Sequence, residues 1–222
     1  MMEENDLESI KYELNDLLAA AHSPLLNSSQ SAQFDAYLSL ILRWNARINL
    51  TAVSDAQSVL ERHFVESIAC AHALPKGISS LLDFGSGAGL PGIPIAICRP
   101  EISVTLAESQ GKKAAFLHQV ARTLDLPIPI KVHAGRAETL TVQYDCVALR
   151  AVERMEMAVE AATWLLRIGG WIAAMTTLKD LAKIQIAAGP GFEWLAPTLL
   201  PGSDQRVAAL ASKTFHVEQL PT

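Results

Sequence analysis

Apolar residues near the start of the chain recur at three- and four-residue steps. Leu7, Ile10, Leu14, Leu17 and Leu18 form one such stripe, with Glu and Asn between them, and predict an amphipathic helix. His22-Ser23-Pro24 breaks it. A second helix is expected to carry Phe34, Tyr37, Leu38, Ile41 and Leu42 toward Trp44, and a third to run from Asp55 to about Leu74, stopped by Pro75 and Gly77. From Ser80 the pattern changes. Short apolar runs alternate with longer amphipathic ones, as in a parallel sheet with crossover helices. Strands are expected at 81–84, 103–107, 128–133, 146–149 and 170–176, and helices at 92–97, 112–124, 153–166 and 178–187. Residues 192–217 suggest antiparallel strands that close the sheet edge. The predicted fold is α/β, a mostly parallel central sheet flanked by helices on a Rossmann-like plan. A helical element (1–76) precedes the sheet domain (77–222), with the boundary in 74–80.

Composition narrows the class. A length of 222 residues suits one sizeable domain with a small extension. No apolar run is long enough to cross a bilayer, and the acidic start, Met1-Met2-Glu3-Glu4-Asn5-Asp6, argues against a signal peptide. Cys70, Cys98 and Cys146 suit a reducing cytoplasm and have no metal-ligand spacing. The net charge of −5 excludes bulk attraction to naked nucleic acid. An RNA partner would have to meet a local basic patch or be recognised by shape.

Chemistry concentrates in Leu81-Leu82-Asp83-Phe84-Gly85-Ser86-Gly87-Ala88-Gly89. An apolar run delivers an acid, and glycines then alternate, which describes a buried strand ending in a loop that a ligand can approach closely. The next predicted strand ends in Glu108, where a carboxylate can accept hydrogen bonds from a ribose diol. Gly87-Ala88-Gly89-Leu90-Pro91-Gly92 also fits the dinucleotide fingerprint G-x-G-x-x-G, so a nicotinamide- or flavin-dependent oxidoreductase competes with an S-adenosylmethionine enzyme. Asp83, placed before the first glycine, can hold the loop and face the ammonium of a methionine moiety. Pro91 and Pro94 crowd the helix start that a pyrophosphate would use. Both features favour S-adenosylmethionine on the loop alone. A glycine turn with no ligand is the weakest alternative.

Four blocks, in order, resemble one family. They are Trp44-Asn45-Ala46-Arg47-Ile48-Asn49-Leu50-Thr51, Arg62-His63-Phe64-Val65-Glu66-Ser67 (with Glu66 where the pattern R-H-x-x-D-S has Asp), Asp83 through Pro94, and Glu108-Ser109-Gln110-Gly111-Lys112-Lys113-Ala114-Ala115-Phe116-Leu117. The family is the glucose-inhibited division protein B (RsmG) family of bacterial methyltransferases, which modify N7 of a guanine in 16S ribosomal RNA. The resemblance implies that Gly85 and Leu90 line an S-adenosyl-L-methionine pocket and that Ala137 and Glu138 lie beside the adenine, joining Asp83, Gly87, Gly89 and Glu108 as the expected cofactor-binding residues. Arg150 matches the arginine of an S-R-A segment and is expected at the cofactor as well. Arg136 and Arg206 fall where the family has further arginines near the active site. Thr176 and Thr177 replace an expected lysine, and Arg206-Val207-Ala208-Ala209-Leu210 stands for R-H-L-V-V; both departures fall on the RNA side.

Guanine N7 is an exposed lone pair that needs no deprotonation, so no general base is expected and none is assigned. Positioning carries the reaction. Arg136, Arg150 and Arg206 are expected to grip phosphates or guanine O6, and Arg150→Ala to cut methylation with the fold intact. His63, Trp44, Asn45 and Asn49 are expected in packing roles. Lys112 and Lys113, at a helix start unfavourable for cations, could contact RNA. The implied partner is 16S rRNA within the small subunit, with the enzyme a cytoplasmic monomer. Alternatives are a methyltransferase of another substrate, an NAD-dependent oxidoreductase and a non-catalytic ribosome-binding module.

Overall fold

A computed structural model describes residues 13–53 and 55–214. Helix α1 covers 13–20 and is followed by α2 (Ser28–Ile48), α3 (Ala56–Val59), a π turn (Leu60–Val65) and α4 (Glu66–Ala73). The sheet portion runs β1 (Ser80–Phe84), α5 (Gly92–Cys98), β2 (Ser103–Ala107), α6 (Gly111–Thr123), β3 (Lys131–His133), a 3₁₀ turn (Ala137–Thr139), β4 (Tyr144–Arg150), α7 (Met155–Trp164), β5 (Leu166–Thr177), α8 (Leu178–Ala188), β6 (Phe192–Trp194), β7 (Thr198–Leu199) and β8 (Arg206–Lys213). The strand order is β3-β2-β1-β4-β5-β8-β6, with β7 on β8. β1 to β5 are parallel, and β8 inserts antiparallel beside β5. The order of connection reverses between β1 and β4, which opens a crevice at their carboxyl ends where ligands of such sheets bind.

Period-two alternation splits the apolar residues between two faces. Cys146 and Ala148 of β4 face the N-terminal helices and pack in one core with Leu81, Leu106, Phe64 and Ile41. Val147 and Leu149 point the other way, into a core with Val159 of α7 and Ile184 of α8. The N-terminal helices therefore supply one of the two layers over the sheet. Helix α2 starts with a capping box between Asn27 and Gln30 and ends at Asn49 in left-handed conformation. Its buried Tyr37 stacks on Phe64 at a centroid distance of 5.1 Å, and Phe34 meets the same ring tilted at 5.0 Å. Trp44 donates from Nε1 to Gln119 of α6 at 2.8 Å, so it ties helix to helix.

Several expected boundaries move for identifiable reasons. β3 is shorter than 128–133, because Pro127 and Pro129 have no amide to give the ladder. β5 begins earlier than 170, and a register shift between Tyr144 and Cys146 absorbs the Gly169-Gly170 bend. α7 is shorter than 153–166. Ala151 and Arg154 take left-handed φ of 50° and 56° before it, and the ammonium of Lys213 donates to the carbonyls of Thr163 and Leu166 at its end. The third predicted helix is interrupted by the π turn. Leu7, Ile10 and Val217 lie outside the described residues.

Candidate active site: a cofactor cradle and an arginine cluster

The loop after β1 turns on glycines. Gly85, Gly87 and Gly89 all have positive φ, and a Cβ at Gly85 would also press on the Val152 methyls at 3.4 Å. Ser86 pins the turn, donating from its amide to Ala107 O at 2.9 Å and from its hydroxyl to Asp83 O at 2.9 Å. Asp83 is fully buried. Its Oδ2 accepts the Gly92 amide at 3.1 Å, while Oδ1 has no partner. Burial pushes this carboxyl up to about 7, against the pull of the Gly92 and Ser86 bonds and of Arg150. The loop is also held from the helical layer, since Tyr37 donates its hydroxyl to Ala88 O at 2.6 Å. Tyr37→Phe leaves that buried carbonyl unsatisfied and is expected to cost about 1–2 kcal/mol in urea unfolding, with weaker cofactor binding.

The start of α5 decides between the two cofactor classes raised by the glycine pattern. The Gly92 amide is taken by Asp83, the Ile93 amide bonds Gly89 O at 2.8 Å, and Pro94 has none. No free first-turn amide is left for a pyrophosphate, and Asp83 would repel one when ionised. A phosphate-free nucleoside with a cationic head fits; a dinucleotide does not. Glu108 is buried, accepting Gly87 N on Oε2 at 2.9 Å and Gln110 N on Oε1 at 2.7 Å. Each oxygen keeps a second lone pair for a ribose hydroxyl.

A cavity of about 620 Å³ opens beside this loop. It brings together Gly85, Arg136, Ala137 and Glu138, with Val152 and the α7 face opposite. Leu90 turns into the core with Ile93 and does not line this cavity, and Asp83, Gly87, Gly89, Glu108 and Arg150 lie behind its wall rather than on it. Arg136 is 73 % exposed and pairs with Glu138 at 2.8 Å, away from the other two arginines expected to act with it.

Those two meet on Glu66, which is 2 % exposed. Arg150 Nη2 donates to Glu66 Oε2 at 3.0 Å and to Arg62 O at 2.7 Å, and lies 3.1 Å from His63 Nδ1. Its Nη1 donates to Ser67 Oγ at 3.3 Å. Arg206 Nε donates to Glu66 Oε1 at 2.7 Å. His63 Nδ1 accepting from Arg150 assigns the proton to Nε2, 2.7 Å from Thr51 Oγ1. Burial and Arg150 lower this imidazole to about 4, so it stays neutral and in a hydrogen-bonding role. Glu66 was not singled out by the sequence; its only signal is an acid at the D position of R-H-x-x-D-S. Thr177, standing near the expected lysine, caps α8 by accepting the Asp180 amide at 3.2 Å.

Comparison with known proteins gives the family and the fold. A family model described as rRNA small subunit methyltransferase G (GidB) matches residues 30–188. Ribosomal RNA small subunit methyltransferase G of Roseiflexus sp. (strain RS-1) is 38 % identical over 201 residues, 85 % of each chain. The protein of the same name from Streptococcus pneumoniae (strain ATCC BAA-255 / R6) is 39 % identical over 212 residues, 89 % of each. Among solved structures, P. horikoshii TYW2 in complex with MeSAdo superposes with a TM-score of 0.57 at 14 % identity, over 69 % of this chain and 63 % of that one, which establishes the shared fold. With the family model running from residue 30 in α2 through the glycine loop and the sheet to the end of α8, the chain belongs to the rRNA small subunit methyltransferase G (GidB) family.

Proposed function

We propose that this chain transfers the methyl group of S-adenosyl-L-methionine to N7 of a guanine in 16S ribosomal RNA, acting on the small subunit as a cytoplasmic monomer. The observation that carries the cofactor assignment is Asp83, a buried carboxylate with one unpartnered oxygen at a glycine loop whose helix start has no amide free for phosphate. When bound, S-adenosyl-L-methionine supplies an electrophilic sulfonium methyl. The residues present fit it. Asp83 Oδ1 would take its ammonium, Glu108 its ribose hydroxyls, and Ala137 and Glu138 would border its adenine. Gly85 and Gly87 let the backbone approach, and Gly89 turns the loop. The protein's part in the displacement is to hold the acceptor nitrogen in line and keep water out. The division into an N-terminal element (1–76) and a methyltransferase domain (77–222) is part of this reading, and among the described residues the helical layer holds the cofactor loop through the Tyr37 hydroxyl on Ala88 O. No helix among the described residues is long and apolar enough to cross a membrane.

The decisive experiment is incorporation of labelled methyl groups into small subunits from a strain lacking the enzyme, with the modified base mapped in the RNA. Label in N7-methylguanine of 16S rRNA supports the proposal, and label elsewhere or none overturns it. Asp83 adds a pH signature. The ammonium binds the ionised carboxylate, so binding below about pH 7 releases a proton, and affinity should climb by roughly tenfold per unit well below pH 7 and level off above it. Calorimetry in buffers of different ionisation enthalpy would read that proton. Affinity independent of pH in this window would remove Asp83 from the cradle.

A further inference from the structure

We propose that a second cavity, between the end of α1, the π turn and the loop before β8, seats an RNA phosphate next to the acceptor guanine, and that Glu66 is the residue positioning Arg206 there. This rests on the RNA methylation put forward above. The cavity holds about 450 Å³ and is walled by Leu17, Val65 and Pro201, with Arg62 and Arg206 on its polar side. It is joined to the cofactor cavity through one side-chain chain. Arg150 ends β4 just before Val152 of the cofactor cavity, Glu66 takes Arg150 on one oxygen and Arg206 on the other, and Arg206 lines the second cavity.

The arginines divide their work. Arg150 is 14 % exposed, and all its named bonds run to the π turn and α4, so it is a cross-link rather than a hand for RNA. Arg206 spends only Nε on Glu66, and its two terminal nitrogens have no partner among the described residues. That leaves the end-on fork suited to two phosphate oxygens. Its backbone is fixed too, with the Arg206 amide donating to Ser203 Oγ at 2.9 Å. The Arg62 guanidinium, exposed on the same cavity, likewise has no partner among the described residues. Two arginines share the single buried carboxylate of Glu66, and His63 is neutral. The cluster therefore carries excess positive charge before Arg62 is added. Glu61, also on this cavity, accepts from the neutral Gln57 amide at 2.5 Å and keeps its charge, so Arg62, Arg150 and Arg206 outnumber Glu61 and Glu66 by one. An anion completes this balance, and apolar walls beside it suit the sugar and base edge attached to a phosphate.

The test uses Arg62→Gln, Arg206→Gln, Glu66→Gln and Glu66→Asp in the full chain, with small subunits as substrate. Arg62→Gln and Arg206→Gln should each raise KM for subunits several-fold and flatten the salt dependence of subunit binding by about one phosphate contact. Affinity for S-adenosyl-L-methionine should stay within twofold. Glu66→Gln should reproduce the Arg206→Gln rise in KM, and Glu66→Asp, which keeps the charge, should restore most of it. Unchanged KM and salt slope in Arg62→Gln and Arg206→Gln, with wild-type methylation intact, overturn the phosphate seat and leave the methyltransferase assignment standing. A wild-type protein that methylates no subunit overturns that assignment instead. If Glu66→Gln does not fold, the exposed Arg62→Gln and Glu66→Asp still decide.

Discussion

Glu66→Ala is expected to destabilise the protein by about 3–5 kcal/mol, read as a large fall in the urea midpoint, because it strands two guanidinium groups around a buried hole. The carboxylate is 2 % exposed, and each oxygen bonds a different arginine, at 3.0 Å to Arg150 and 2.7 Å to Arg206. Arg150 then loses its only carboxylate partner among the described residues while held 14 % exposed between β4 and the π turn. The penalty is that of an uncompensated charge rather than of a broken surface bridge. Arg136→Ala supplies the contrast. Its pair with Glu138 is made by a 73 % exposed side chain, and solvent already screens it, so the midpoint should not move. The same geometry changes what Arg150→Ala should do. The sequence suggested lost methylation with the fold intact; the cross-link to Arg62 O, Glu66 and Ser67 predicts that stability falls as well. A shift below about 1 kcal/mol for Glu66→Ala would mean that the arginines find water when the acid is removed.

The parts visible in the sequence are those written in local signals. Alternating glycines, an acid at a strand end and prolines at a helix start sit within a dozen or so residues, and each has a conformational meaning that does not depend on distant partners. Buried parallel strands show as apolar runs for the same reason. Pairings across the chain leave no such trace. Glu66 meets Arg150 and Arg206 over separations of 84 and 140 residues, so an acid inside a helical stretch gives no hint of its partners. The π turn is equally silent, because one extra residue per turn is compatible with the same amphipathic pattern. Arg136, Arg150 and Arg206 look alike in sequence. Only burial and partners separate an exposed rim residue, a buried cross-link and a half-exposed side chain with free donors. Leu90 shows the converse limit. It lies in the most legible motif of the chain, yet its side chain faces the core.

At Gly92 the expected loss is in the cofactor itself, with Gly92→Ala weakening S-adenosyl-L-methionine binding by about a hundredfold or more and costing about 1–3 kcal/mol in stability. Backbone conformation is not the reason, since Gly92 has no positive φ. The reason is space. A Cβ there would lie 2.4 Å from Leu106 Cδ2, 2.6 Å from Asp83 Oδ2 and 2.8 Å from Asp83 Cβ. The leucine methyl can swing aside, but Asp83 Cβ belongs to a central strand paired on both sides, to β2 and β4, and cannot retreat. The carboxylate would have to rotate, releasing the Gly92 amide and turning Oδ1 away from the loop. Gly111→Ala is the matched control, because a Cβ at the first residue of α6 meets nothing within 4 Å. It should leave cofactor affinity unchanged and stability equal or slightly raised. Calorimetry on both variants separates the outcomes. Wild-type affinity in Gly92→Ala would show that the cradle does not depend on the orientation of Asp83, and would shift the recognition of the cationic head to some other group of the loop.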